Sequence, residues 1–189
     1  MRLAPFLLAA LALLPPPVAA LEEPGGPPRL GSDNCPPTAR LTCLVGGMMF
    51  DSGTTVGANN TVTQLVNGCP SLTSVPGPDV AYQLSNELFF SMAVAVTPQA
   101  GYDVAVYLLS NTSEACPAGV SNAVHNCVAA VNAGGPGVTE TLFPPPNLPI
   151  GQYFLFVDSV SASGAASAGT YTIQLLVLCP VELIDYSIE

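Results

Sequence analysis

A single histidine, His125, confines any imidazole chemistry in this chain to one position. It lies between Val124 and Asn126, no Gly-x-Ser-x-Gly elbow occurs, and every cysteine has a plausible disulfide partner. The spacing therefore gives no support to a Ser-His-Asp or Cys-His mechanism, and His125 reads as structural or solvated. Carboxylate-pair hydrolysis would need two acids at a matched separation with one pKa raised. Asp103 and Asp158 are the best placed, both on expected strands, but hydrogen bonding at turns and strand ends is the role such residues usually take. The remaining chemistry is aromatic. Tyr107, Phe154 and Phe156, within a set that also holds Tyr82, Tyr102, Tyr153 and Tyr171, would either stack on a sugar ring from one sheet face or pack in the core. No catalytic residue, cofactor-binding residue or metal ligand is assigned.

The elements that must position these groups are strands. In Gly151–Leu178, Tyr153, Leu155 and Val157 alternate with Gln152, Phe154 and Phe156, and Tyr171, Ile173, Leu175 and Val177 alternate with Thr170, Thr172 and Gln174. A period of two predicts two half-buried strands, and the Ser/Ala/Gly loop between them predicts an antiparallel hairpin. Upstream, Val80–Leu84, Leu88–Val96 and Tyr102–Leu109 repeat the pattern, separated by Asn86-Glu87 and Pro98–Gly101. Leu41–Val45, Met49–Asp51 and Val138–Leu142 read as shorter strands, Thr54–Leu65 as turn-rich, and Ser110–Gly137 as the largest irregular region. No amphipathic helix and no internal repeat is seen. The chain is expected to be an all-β antiparallel sandwich.

Residues 1–20 read as a signal peptide: Arg2, then apolar Leu3–Leu14, then Val18-Ala19-Ala20. That run is too short to span a bilayer. The Pro- and Gly-rich stretch 21–32 is expected to be an extended leader, 33–180 the folded domain and 181–189 an acidic tail. There is no Lys, and thirteen acids face three Arg for a net charge of −10. Such a balance excludes an electrostatic nucleic-acid footprint and disfavours anionic membranes. A secreted, extracellular product that does not insert into membranes is expected.

Six cysteines after the signal peptide read as a disulfide framework rather than a zinc site, since no Cys-x-x-Cys occurs. The eleven-residue separation of Cys116 and Cys127 suits a closed loop, worth about 3 kcal/mol. Cys43 is expected to reach Cys179, because Leu41–Leu44 looks able to lie beside the last strand, which leaves Cys35 with Cys69. Asn59 and Asn111 head the two N-glycosylation sequons, Asn59-Asn60-Thr61 and Asn111-Thr112-Ser113.

Several segments occur in a telling order: Pro78-Asp79-Val80-Ala81-Tyr82, Tyr102-Asp103-Val104-Ala105-Val106-Tyr107, the pair Cys116 and Cys127, Gly151–Asp158, and Gly169-Thr170-Tyr171-Thr172. With Asn34-Cys35 through Ala58 as lead-in, this order resembles the bacterial pre-peptidase C-terminal (PPC) domain family over about Asp33–Cys179. The resemblance implies a jelly-roll-like sandwich of the kind attached to secreted hydrolases and surface proteins. It departs from the family after Cys127, where Val128–Asn132 lacks a carboxylate. Some relatives hold calcium in the lead-in. Here only Glu22, Glu23, Asp33 and Asn34 are comparable, and Pro and Gly keep those oxygens apart.

The function expected is a free-standing, non-catalytic binding or adhesion module. Its partner would be an extracellular polysaccharide, a matrix protein or a separate secreted hydrolase. A structural component of a cell wall or coat is the alternative, with a small secreted hydrolase behind it.

Overall fold

The strand at the centre of the molecule is buried on both sides. The computed structural model describes residues 40–41, 48–66, 69, 71–86, 91–110, 122–124, 126–146 and 148–178. Within them, Gly151–Ser159 (β10) runs between Val80–Asn86 (β4) and Val104–Ser110 (β6), antiparallel to both. Arg40–Leu41 (β1) adds to β4 in parallel, and Cys127–Val131 (β8) adds to β6, completing a five-stranded sheet of order β1-β4-β10-β6-β8. A second sheet contains Met48–Thr54 (β2), Thr170–Leu178 (β11), Ser91–Pro98 (β5) and Glu140–Leu142 (β9), in that order. Val62–Leu65 (β3) and Asn122–Val124 (β7) form a small parallel pair. The fold is an all-β sandwich, and no helix occurs among the described residues.

The two large sheets face each other across a core made by one side of each alternation. Val80, Tyr82, Leu84, Val104, Val106, Leu108, Tyr153, Leu155 and Val157 from one sheet meet Met92, Val94, Val96, Tyr171, Ile173 and Leu175 from the other. These are the inward residues that the period of two predicts. At about 1.5–3 kcal/mol per fully buried large side chain, this layer is the main stabilising term. At its centre the hydroxyls of Tyr82 and Tyr171 meet at 2.9 Å. Gly53 makes room for them, since a Cβ there would lie 2.5 Å from the Tyr171 hydroxyl oxygen.

The other side of the five-stranded sheet departs from expectation. Ala81, Ala105, Tyr107, Leu109, Phe154 and Phe156 point away from the core and are nonetheless buried, under Val62, Leu65, Leu72, Val75 and Val124. This third layer comes from the stretch read as turn-rich and from the region read as irregular. A short strand such as β3 has too few alternating residues to announce itself. Burial on both faces explains why β6 reads as a nearly unbroken apolar run.

Three connections are corrected. β10 and β11 are not a hairpin: they lie in different sheets, and residues 160–169 cross between them. A ten-residue loop can span the roughly 10 Å between packed sheets, whereas a tight turn holds its strands side by side. Leu41 pairs with β4, and the last strand is flanked by β2 and β5, which removes the strand pairing behind an expected Cys43–Cys179 link. Finally, Cys127 is joined to Cys69, not to Cys116, so Cys35 is not the partner of Cys69 either. The parallel β3–β7 pair sets Leu65 opposite Val124, and the Val66 N–H donates to the Val124 carbonyl at 2.9 Å. That register carries the chain after β3 to the start of β8, where the Cα atoms of Cys69 and Cys127 stand 5.7 Å apart. Cys35, Cys43, Cys116 and Cys179 lie outside the described residues, as do 1–39, the tail 179–189, His125 and Asn111.

Candidate functional site

The acids that sequence reasoning favoured are committed to holding the fold. Asp158 follows Phe154 and Phe156 on the covered side of β10 and is fully buried. One carboxylate oxygen accepts the Ser159 N–H at 2.6 Å and the other accepts the Tyr107 hydroxyl at 2.8 Å. Burial pushes this carboxyl well above the usual carboxylate range, and the nearby charge of Asp79 pushes it further, against the pull of those two hydrogen bonds. The Tyr102 hydroxyl donates to the Asp158 carbonyl at 2.8 Å, and its own pKa is raised chiefly by burial. Asp103 is half-buried and accepts the Asn132 side-chain amide at 3.2 Å. Asp103 and Asp158 thus take separate partners.

Asp79, from the first resemblance segment, is a clasp. Its carboxylate accepts the backbone N–H groups of Thr61 and Val62, at 2.6 and 2.9 Å, and the Thr61 hydroxyl. It thereby fastens the start of β3 to the start of β4. Glu140 does the same for the loop before β9, accepting the N–H groups of Ala133 and Gly134 at 2.9 and 2.6 Å. Charge-assisted bonds to backbone donors are among the stronger ones available to a fold. Among the described residues, no group of three or more His, Cys, Asp or Glu is arranged to hold a metal ion.

The expected stacking residues are also placed, and the placement is a correction. Tyr107, Phe154 and Phe156 are buried, and the Tyr107 and Phe156 rings stack on each other with centroids 5.1 Å apart. None of the three can reach a ligand from this position. The reason is the third layer, which covers the sheet face from which they project.

Among the described residues, nothing covers the other sandwich face. The outward side chains of β2, β11, β5 and β9 fall in four ranks across the sheet. Met48, Leu176 and Ala93 form the first, and Phe50, Gln174, Ala95 and Thr141 the second. Ser52, Thr172 and Thr97 form the third, which Thr139 extends by a 2.9 Å hydroxyl contact to Thr97. Thr54, Thr170 and Gln99 form the fourth, with the Thr170 hydroxyl donating to the Gln99 amide oxygen at 2.8 Å. Phe50 is 72% exposed, Met48 46% and Leu176 40%. Beside them, the third and fourth ranks line a shallow depression of about 550 Å³. Phe50 stands one rank away from this depression, whose walls also include Gly53, Pro98 and Tyr171.

Sequence reasoning missed this face. Its signal was present in Met48–Thr54, where Met48, Phe50, Ser52 and Thr54 alternate with Met49, Asp51 and Gly53. Read as the short strand Met49–Asp51, the segment hid that Phe50 belongs to the same rank system as Thr170 and Thr172.

No known protein-family model matches the chain, and no curated protein matches it. Among solved structures, it is similar to the pre-peptidase C-terminal domain of a collagenase from Bacillus anthracis, with 14% identity, a TM-score of 0.37, and 82% of this chain and 99% of that one covered. It is also similar to a periplasmic inhibitor of g-type lysozyme from Aeromonas hydrophila, with 8% identity, a TM-score of 0.40, and coverage of 74% and 96%. A surface-associated copper-binding protein from Methylomicrobium album BG8 is a third, with 11% identity, a TM-score of 0.37, and coverage of 75% and 98%. The first is a domain of the family that the sequence resembles. Superpositions this loose assign neither family nor function.

Proposed function

We propose that this protein is a secreted, non-catalytic β-sandwich binding module, akin to a free-standing PPC domain. It engages an extracellular polysaccharide, a matrix protein or a partner hydrolase through the open face of the four-stranded sheet. The observation that carries this reading is Phe50, 72% exposed in a strand between Met48 and the Ser52/Thr54 hydroxyls. Burying a Phe would gain about 1.5–3 kcal/mol, so its exposure leaves that gain available to a ligand. The non-catalytic reading is supported by the structural partners of Asp103 and Asp158. The Cys69–Cys127 disulfide supports export to an oxidising compartment, since such bonds are rare where thiols are kept reduced. The Asn59 side chain is exposed, which suits a glycan in a host that adds one.

The test is retention of the chain from Leu21 on arrays of extracellular glycans and matrix proteins. Saturable binding by the wild type, lost in Phe50→Ala and kept in a variant of the exposed loop residue Ser163→Ala, is the expected result. A folded protein that binds nothing on either array overturns the proposal and turns attention to a structural role in a wall or coat.

A further inference from the structure

We infer that the occupant of this face is a single strand of an uncharged polysaccharide, lying along β2 and β11 with a sugar ring on Phe50 and the next in the shallow depression lined by Ser52, Thr97, Thr170 and Thr172. The inference rests on the reading of this face as the binding site and names its ligand.

Three properties of the face select that class. The first is charge. The protein carries a net charge of −10, yet none of the outward residues in the four ranks is ionisable. An anionic polysaccharide would approach through a repulsive field and find no cation to pair with. A cationic partner would find no carboxylate among the described outward residues.

The second is size. Four ranks about 7 Å apart on four strands about 5 Å apart occupy roughly 28 Å by 20 Å, a patch of roughly 550 Å². A stable protein–protein interface buries about 800 Å² on each partner. The patch falls short of that share, and mutual repulsion between two acidic copies disfavours a second copy of this chain. It suits an extended chain one residue wide, and the depression of about 550 Å³ is within the usual range for small-ligand sites.

The third is chemistry. A pyranose ring presents an apolar C–H face and a rim of hydroxyls that both donate and accept. Phe50, with Met48 and Leu176 around it, offers the apolar partner. Thr170 donates to Gln99, and Thr97 pairs with Thr139, so these hydroxyls keep acceptor lone pairs for a ligand hydroxyl. The Gln174 amide N–H is turned to the Met48 sulfur at 3.1 Å, which leaves its carbonyl oxygen for the ligand beside the Phe50 ring. The face thus has a stacking half, the first two ranks, beside a hydrogen-bonding half, the last two.

The experiment is native affinity electrophoresis of the chain from Leu21. Its probes are two soluble uncharged polysaccharides (hydroxyethyl cellulose and galactomannan), anionic polygalacturonate and soluble collagen. Retardation by an uncharged probe, equal at low and high salt, is expected. Phe50→Ala should weaken it about tenfold, the loss of one stacking contact. Thr172→Val, isosteric but without the hydroxyl, should weaken it about fivefold, with the unfolding midpoint of both variants unchanged. Binding only to polygalacturonate or collagen, still lost in Phe50→Ala, overturns the uncharged-glycan inference and leaves the binding face standing. Binding to no probe, or binding indifferent to Phe50→Ala and Thr172→Val, overturns both.

Discussion

The two outer faces of the sandwich begin from the same strand alternation and end as opposites. On the five-stranded sheet the outward residues are Tyr107, Leu109, Phe154 and Phe156, and the chain covers them with β3, β7 and the stretch around Leu72 and Val75. On the four-stranded sheet they are Thr97, Thr170, Thr172 and Gln174, and they stay in contact with water. Leaving four large apolar side chains exposed would forfeit several kcal/mol, enough to repay ordering a covering loop, whereas hydroxyls gain little from burial. Phe50 departs from that rule, as an exposed aromatic on the face that no described residue covers. The contrast teaches that side-chain identity alone does not mark a site. An aromatic under a layer is structure, and an aromatic on an open sheet is available to a partner.

The sharpest way to break this contrast is to make the same substitution on both faces. Phe156→Ala should cost about 3–5 kcal/mol by opening a cavity against Tyr107. Phe50→Ala should change stability by no more than about 0.5 kcal/mol. Urea unfolding of the two variants measures the difference, and similar values would mean that Phe50 is covered in solution.

The clip on the covered face comes next. The Cys69–Cys127 bond closes a sequence separation of 58 residues, for which the chain-entropy relation gives about 4 kcal/mol, and measured cases often fall to about 2. Cys69→Ala/Cys127→Ala should lower stability by that amount and raise hydrogen exchange in β3 and β7 before β5 or β11. Uniform loss of protection across both sheets would show that the covering layer is no separate unit.

The last effect is the pH dependence carried by Asp158. Its carboxyl titrates higher in the folded chain than in the unfolded one, so the folded state binds more protons. The stability it supplies is present at about pH 4 and below, and is lost as pH rises through the folded-state value. Asp158→Asn keeps an acceptor for the Ser159 N–H but replaces the oxygen that accepts the Tyr107 hydroxyl with an amide N–H, so the Tyr107 oxygen must become the acceptor. Relative to wild type, the variant should therefore gain stability as pH rises from about 4 towards the folded-state value. A difference that stays flat with pH would show the carboxylate to be ionised in place.

The resemblance segments were legible because they hold the fold together. Asp79, Tyr82, Tyr102, Tyr107, Asp158 and Tyr171 all take part in hydrogen bonds among the described residues, and those bonds explain why such types stand at such strand ends. The candidate site was less legible. Thr97, Thr170 and Thr172 are ordinary outward residues of ordinary strands, and nothing local says that Ser52 stands beside Thr172.

The sequence by itself determined the strand class and the core-facing half of each long strand. An alternation of apolar and polar residues has one stable backbone solution, and its apolar side must find another. It also determined that disulfides would form, though not which. Partner choice was decided by the tertiary structure alone. Whether β10 turns back onto β11 or crosses to another sheet depends on where a ten-residue loop finds its hydrogen bonds, such as the Asp103 N–H to the Ala166 carbonyl. Cys127 meets Cys69 rather than Cys116 because the parallel β3–β7 register brings the two together. Which face is covered, and hence that Tyr107, Phe154 and Phe156 are buried while Phe50 is exposed, follows from those same long-range pairings, and no local pattern encodes them.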